Sequence, residues 1–210
     1  MRAVTLLLMV LVAVAVVPVM AEQTVASTPS PGGASYGSLR PGALIFDQGP
    51  STGAYGGCWA NGTSGQNFAD QATFVDPVEI DEIRIFTCVN PLAGTVHVKI
   101  LADDGAGNPA GVVYAEDKAP DAWVADPVSG GFVVSVILTT PFQASAGTTY
   151  WYGISHNVED MGQHSVVAPG DGTMAQFNGS VFAMHATVGD QSFQLMGTIV
   201  PVELQSISIE

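Results

Sequence analysis

Positive charge is what this sequence has least of: 5 Lys and Arg stand against 19 Asp and Glu over 210 residues, a formal net charge of −14. Phosphate-backbone binding rests on clustered Lys and Arg, so nucleic acid is excluded as a partner. Cysteine is nearly absent as well, with 2 residues, and together with the length this rules out a disulfide-stapled miniprotein. Beyond the first twenty or so residues, no window of about 11 residues carries a sustained 3.6 period with helix caps, which leaves helix minor or absent. Missing too are a Gly-x-Ser-x-Gly elbow, a phosphate-binding glycine loop, a dinucleotide fingerprint and any fixed-period repeat. What is present is 47% hydrophobic residues, far too many for a disordered acidic tail, and 24 Gly with 13 Pro to punctuate a folded chain.

The first segment reads as a targeting signal. Met1-Arg2 supplies a positive start, Ala3 to Val17 is apolar, and Val19-Met20-Ala21 resembles a small-residue cleavage site before Glu22. Pro18 breaks the run short of the roughly 20 apolar residues a membrane helix needs, and no Cys follows it to carry a lipid. Residues 1–21 are therefore expected to be a signal peptide, residues 22–41, rich in Ser, Thr, Pro, Gly and Ala, a flexible leader, and residues 42–210 one domain. Removal of Arg2 leaves Arg40, Arg84, Lys99 and Lys118 against 19 acids, a net charge of −15, and no membrane partner after cleavage.

Export changes how the cysteines read. In an oxidising destination Cys58 and Cys88 are expected to pair, closing a loop of about 30 residues worth roughly 3 to 4 kcal/mol in the chain-entropy model. Two buried thiols are the alternative.

From residue 66 onward the pattern is of β type. Strands are expected at 66–75, 78–89, 95–102, 111–116, 131–139, 148–156, 173–177, 180–186, 192–200 and 202–209, each bounded by Gly, Pro, Asn or Asp. Asn178-Gly179 predicts a type I′ hairpin with Phe177 opposite Ser180 and Ala175 opposite Phe182. Val134, Val136 and Leu138 alternate with Val133 and Ile137, so that strand should run centrally in a sheet covered on both faces. The expected fold is all-β, a two-sheet antiparallel β-sandwich of jelly-roll type. With Lys nearly absent, Asp, Pro and Gly must guard the sheet edges.

Four stretches, AsnPheAlaAspGlnAlaThrPhe (67–74), GluIleAspGluIleArgIlePhe (79–86), the segment from Val96 to Gly111 and the segment from Thr140 to Ser155, carry a resemblance. Together they resemble a group of secreted bacterial jelly-roll or β-sandwich surface proteins of unassigned function, over roughly residues 44–200. The resemblance implies the fold and an extracellular or cell-surface place in a bacterium, and it implies no catalytic residue. ProValGluLeuGlnSerIleSerIleGlu (201–210) looks like the stretch that precedes a sorting tail, and Val202–Ile209 is expected either to complete the sheet or to add to a neighbouring molecule.

Several residue groups could carry chemistry. His156, Glu159, Asp160 and His164 fall within nine residues, with His185 nearby, and imidazole with carboxylate suits zinc. Their spacing matches no standard metal motif, and a solvated connection is the plainer reading. Asp103, Asp104 and Asn108 stand among glycines and could wrap calcium as a cofactor, although EF-hand spacing is missing and a turn needs the same residues. Trp59 and Trp123 fall on predicted loops, where a ring could stack on a sugar. Trp151 alternates with Tyr150 and Tyr152, so one of these sets must face the core. The sequence as a whole points to a non-enzymatic secreted or cell-surface protein with a structural or adhesive role. A carbohydrate-binding module is the alternative and a secreted hydrolase the third reading.

Overall fold

The computed structural model describes residues 42–49, 57–58, 67–128, 130–156, 163–165, 172–177, 182–185 and 190–201. The segments expected to be a signal peptide and a leader, and the strand expected at 202–209, lie outside these residues. The strands in chain order are β1 (Leu44–Asp47), β2 (Gly57–Cys58), β3 (Asn67–Thr73), β4 (Val78–Thr87), β5 (Val96–Asp103), β6 (Pro109–Lys118) and β7 (Ala122–Ala125). They continue as β8 (Phe132–Ala144), β9 (Thr149–His156), β10 (Gln163–Ser165), β11 (Met174–Phe177), β12 (Phe182–His185), β13 (Asp190–Gln191) and β14 (Phe193–Ile199).

A five-stranded sheet in the order β1-β14-β4-β8-β7 packs on a six-stranded sheet in the order β12-β11-β3-β9-β5-β6, with every pairing antiparallel. A third, small sheet joins β13, β10 and β2. The fold is the all-β sandwich expected, and no described residue is helical. Between the two large sheets lies one apolar core that includes Ile80, Ile83, Ile85, Val134, Val136, Val96, Val98, Ile100, Tyr152, Ile154, Phe193 and Leu195. Burial of this aliphatic and aromatic surface is the main force holding the sheets face to face.

Sequence spacing explains a break in β4. Val78 and Ile80 point inward, and so do Ile83 and Ile85, a phase shift that needs one extra residue. Asp81 is that residue. Met196 of β14 faces Glu82 while Gly197 faces Ile80, and on the other side Ile137 of β8 faces Glu82 while Phe142 faces Ile80. The segment 138–141 of β8 thus stands opposite Asp81 alone, and Pro141 sits where no ladder hydrogen bond is asked of it. This is how β8 runs on to Ala144, beyond the end expected at 139. At Gly197 the two strands come so close that any side chain would meet the carbonyl of Glu79.

The irregular part of β8 leans toward the edge strand β6 of the opposite sheet. Lys118 Nζ donates to the carbonyl of Ile137 at 2.8 Å and lies 3.0 Å from Asp121, while Thr139 N donates to Glu116 Oε1 at 3.2 Å. Tyr114 packs edge-on to Phe142, which in turn meets Tyr150. Alternate residues of β6 therefore stitch one side of the sandwich shut.

Two expectations need correction. Phe177 faces Phe182 and Ala175 faces Met184, a register displaced by two positions from the one expected of a two-residue turn at Asn178-Gly179, whose residues lie outside those described. The shift of two positions preserves which residues share a face, which is all the alternating pattern constrains. The short strands β1, β2, β7, β10 and β13 were not expected; at two to four residues they are too brief to show a period. The expectation for β8 holds: it lies between β4 and β7, and Val133 and Ser135 on its outward face are buried like Val134 and Val136 on its inward face.

Candidate functional site

The two ends of the sandwich differ. At one end the connections are tight and closed by backbone hydrogen bonds: Asp104 N to Asn108 O, Gly147 N to Phe74 O and Val200 N to Pro77 O. At the other end lie the start of β3, where Asn67 faces Phe177, the end of β4, where Thr87 faces Phe132, and the end of β9, where His156 faces Val96. The longer connections leave from this second end, and the small β13-β10-β2 sheet belongs to it, with β10 also touching β4. Binding residues on β-sandwiches concentrate on such loop-bearing ends.

A buried carboxylate organises that end. Asp70 of β3 is 1% exposed and lies on the inward face, opposite Tyr152. Its Oδ2 accepts Gln48 Nε2 at 2.6 Å and the backbone N–H of Gln191 at 2.7 Å, and its Oδ1 accepts Gln71 N at 2.7 Å. Gln48 Nε2 also reaches the Gln191 carbonyl at 3.2 Å, and Asp190 Oδ1 accepts Gly172 N at 2.8 Å. One carboxylate thereby ties β3 to the chain after β1 and to β13. N–H donors offset the desolvation that a buried carboxylate would otherwise suffer. Gln191, fully buried, has no partner for either atom of its side-chain amide among the described residues.

Beside it stands a histidine seam. His156, with no exposed surface, points into the core in phase with Tyr152 and Ile154, and its ring meets Trp123 edge-on at 6.1 Å. Burial, reinforced by the neighbouring His97, pulls its pKa below the usual imidazole value, against a hydrogen bond to the backbone of Ala93. Trp123 Nε1 donates to the Val89 carbonyl at 3.2 Å. On the opposite face of the same sheet Asp117, His97 and Ser155 stand directly across from one another on β6, β5 and β9, with His97 Nδ1 2.7 Å from Asp117 Oδ1. The order is that of an acid–histidine–serine relay. Yet Ser155 Oγ is buried and makes no hydrogen bond among the described residues, so His97 holds no proton path to it.

The Asp103–Asn108 loop lies at the tight end, far along the sheets from the histidines. Asp103 Oδ1 accepts Gly105 N at 2.7 Å, and Asp104 Oδ1 accepts Ala106 N at 2.7 Å and Asn108 N at 3.1 Å, while Asn108 Nδ2 donates to Asp104 Oδ2 at 3.0 Å. Gly105 and Gly107 take φ of 81° and 82°, which lets the backbone wrap around these oxygens. The bonds from Ala106 and the Asn108 side chain hold the Asp104 carboxyl below the usual carboxylate range. These oxygens close the loop on itself, as the turn reading had it, and do not converge on an outside point. Among the described residues no three His, Cys, Asp or Glu side chains are grouped to hold a metal.

The structure therefore gathers some of the sequence-selected residues and separates others. Cys58 on β2, Cys88 just after β4, Trp123 on β7, His156 on β9 and His164 on β10 all belong to the loop-bearing end, where His164 pairs with Gln191 and Gly57. Trp59, Glu159 and Asp160 lie outside the described residues. Trp123 corrects the expectation of a loop position: it is a strand residue, 3% exposed, with its ring committed to the core. Trp151 and Tyr152 are both buried, because the sheet is covered on both faces here, so neither offers a ring to solvent. Burial raises the pKa of the Tyr152 hydroxyl, with Tyr150 adding to it.

Sequence reasoning passed over Asp70 and Glu82. Asp70 had a signal, since it stands in phase with Phe68, Ala72 and Phe74. Glu82 is fully buried on the outward face of the five-stranded sheet, where its Oε1 accepts Arg84 Nε at 2.5 Å and Ser135 Oγ at 2.6 Å. The Ile80-to-Ile83 spacing that betrays the bulge would have placed it there. No known family, curated protein or solved structure matches this chain.

Proposed function

We propose that this protein is a secreted or cell-surface β-sandwich, non-enzymatic, that serves a structural or adhesive role held by its tight end and presenting its loop-bearing end. The observation that carries the reading is this polarity. The described fold begins at Gly42 and ends at Pro201, and both lie at the tight end, since Gly197 N donates to Ala43 O and Val200 N to Pro77 O. The connections after β1, β4, β9 and β11 leave from the other end. The apolar signal-like start and the carboxylate-rich composition fit an exported chain that stays soluble through charge repulsion.

A Cys58–Cys88 bridge belongs to this reading. Supporting it, no described cysteine is a free thiol, and the small sheet that carries Cys58 touches β4, which Cys88 follows. Intact mass under non-reducing conditions tests it; two alkylatable thiols in the native protein would sink the bridge.

The functional reading is tested by fractionating the native source. The protein is expected in the wall, surface or matrix fraction, inactive on a panel of esters and glycosides. Hydrolysis lost on substitution of one carboxylate would overturn it. A glycan array positive that Trp59→Ala abolishes would favour the carbohydrate-binding alternative. Concentration-dependent assemblies that vanish when Val202–Ile209 is deleted would identify self-association as the structural role.

A further inference from the structure

Given the structural role proposed above, on which this rests, we infer that copies of the protein join by strand addition: residues 202–209 of one copy pair with the open edge of β6 in the next. The two large sheets end at β1, β7, β12 and β6. The first three are four residues long, whereas β6, Pro109–Lys118, has ten. A guest of eight residues spans about 26 Å, about twice what a four-residue edge can pair. The ties from β6 to β8 run through the side chains of Tyr114, Glu116 and Lys118. On the side away from β5, no described strand pairs with its backbone. Val112 and Val113 stand on this edge, 55% and 49% exposed. Val113 is an extra residue between Tyr114, opposite Ile100, and Val112, opposite Leu101.

Charge selects the same edge. ProAlaGlyValValTyrAla (109–115) carries no charged residue, although charges are the usual guard of an edge strand. LeuGlnSerIleSerIle (204–209) carries none either. Two copies of net charge −14 repel each other, and least where both approaching segments are neutral. The apolar positions Val202, Leu204, Ile207 and Ile209 alternate with one slip of phase, as β6 does at Val113, so a guest can follow its host past the bulge.

Topology directs the guest to another copy. Both neighbours of β14, β1 and β4, are in place, so the residues after Pro201 cannot pair with the strand they follow. The same chain's β6 lies in the opposite sheet beside β8, where Tyr114 packs on Phe142. Two ladder spacings and one sheet spacing separate it from β14 by about 14 Å. Crossing that gap takes up about four of the eight residues. A neighbour's β6 leaves all eight free to pair. Because each copy gives a strand at its tight end and receives one along β6, assembly continues past the dimer.

Sedimentation velocity over a concentration series tests this on the protein made in its natural host. Wild type is expected to form assemblies larger than dimers. Val113→Lys on the receiving edge and Ile207→Lys on the guest should each raise the midpoint concentration about tenfold or more. Mixed in equal amounts, the two variants should give dimers and nothing larger, since one retains an intact guest and the other an intact edge. Hydrogen exchange on wild type supplies a measure that needs no variant: 109–118 should gain protection on assembly, and 44–47, 122–125 and 182–185 should not. Monomer at every concentration, assemblies unmoved by Val113→Lys, or protection gained at β1, β7 or β12 instead would each overturn the exchange. Recovery of the protein in the surface fraction is independent of all three, so the structural role can stand when this pairing falls.

Discussion

Trp151 Nε1 donates to Asp103 Oδ2 at 2.9 Å, while the other oxygen of the same carboxylate accepts Gly105 N and Gly107 N. One side chain thus fastens the β5–β6 hairpin loop to the buried indole of β9. Both oxygens of Asp103 are spent on the protein itself.

Calcium should accordingly find no work at this loop. Calcium titration is expected to leave the melting temperature unchanged, and a rise that Asp103→Asn removes would reinstate the loop as a cation site. Asp103→Ala is expected to cost about 1–3 kcal/mol with or without calcium, read from urea midpoints, because it orphans a largely buried indole donor. The Asp104 carboxyl, held below its usual pKa, adds stability that is complete above the ordinary carboxylate range and is lost as the pH falls through it. In Asp104→Ala the acid limb of the stability profile should be shallower.

Asp70→Ala should be among the costliest single changes in the chain. It leaves Gln48 Nε2 and the N–H groups of Gln71 and Gln191 without their acceptor inside the sandwich. About 3–5 kcal/mol is expected, with Gln48→Ala costing less, since water and the remaining N–H groups still serve the carboxylate. Equal costs for the two would mean that the carboxylate is not the centre of the cluster.

Glu82 and Arg84 form a buried ion pair beneath the outward face of the five-stranded sheet, with Ser135 as third member. Breaking it from one side, in Glu82→Leu or Arg84→Met, removes one partner of a buried charge pair and is expected to cost about 3–5 kcal/mol. The double replacement should cost markedly less than either single one. Additive losses in the double-mutant cycle would count against a coupled pair.

Gly197→Ala is expected to destabilise by more than an ordinary surface change, on the order of 2–4 kcal/mol, because a Cβ would stand 2.0 Å from the Glu79 carbonyl oxygen and one strand must move. Thermal unfolding measures it. Ser at the same position should fare no better.

How far the sequence reveals this molecule depends on the length scale of each signal. Strands of seven residues or more, such as β3, β4, β5 and β8, repeat their two-residue period often enough to be read. β2, β10 and β13 do not, and their pairing is decided by contacts more than a hundred residues apart in β10–β2. The Asn178-Gly179 pair is a local preference, whereas the β11–β12 register, with Phe177 opposite Phe182, is set over the whole ladder. For the site, Asp70 was legible as a carboxylate in core phase. Trp123 was misread because β7 offers only four residues, and nothing in AlaTrpValAla separates a loop from an edge strand that closes over a histidine.

The adjacency of β1 and β14 has a mechanical consequence. They are antiparallel neighbours, and the chain reaches both from the same end, at Gly42 and at Pro201. Tension applied between those two points peels one strand from the other bond by bond, as a zipper opens, instead of loading all the bonds in shear. A link in a stretched fibre would want the opposite arrangement. A domain built this way resists poorly when pulled in series and well when it hangs from a single attachment with its load on the far loops.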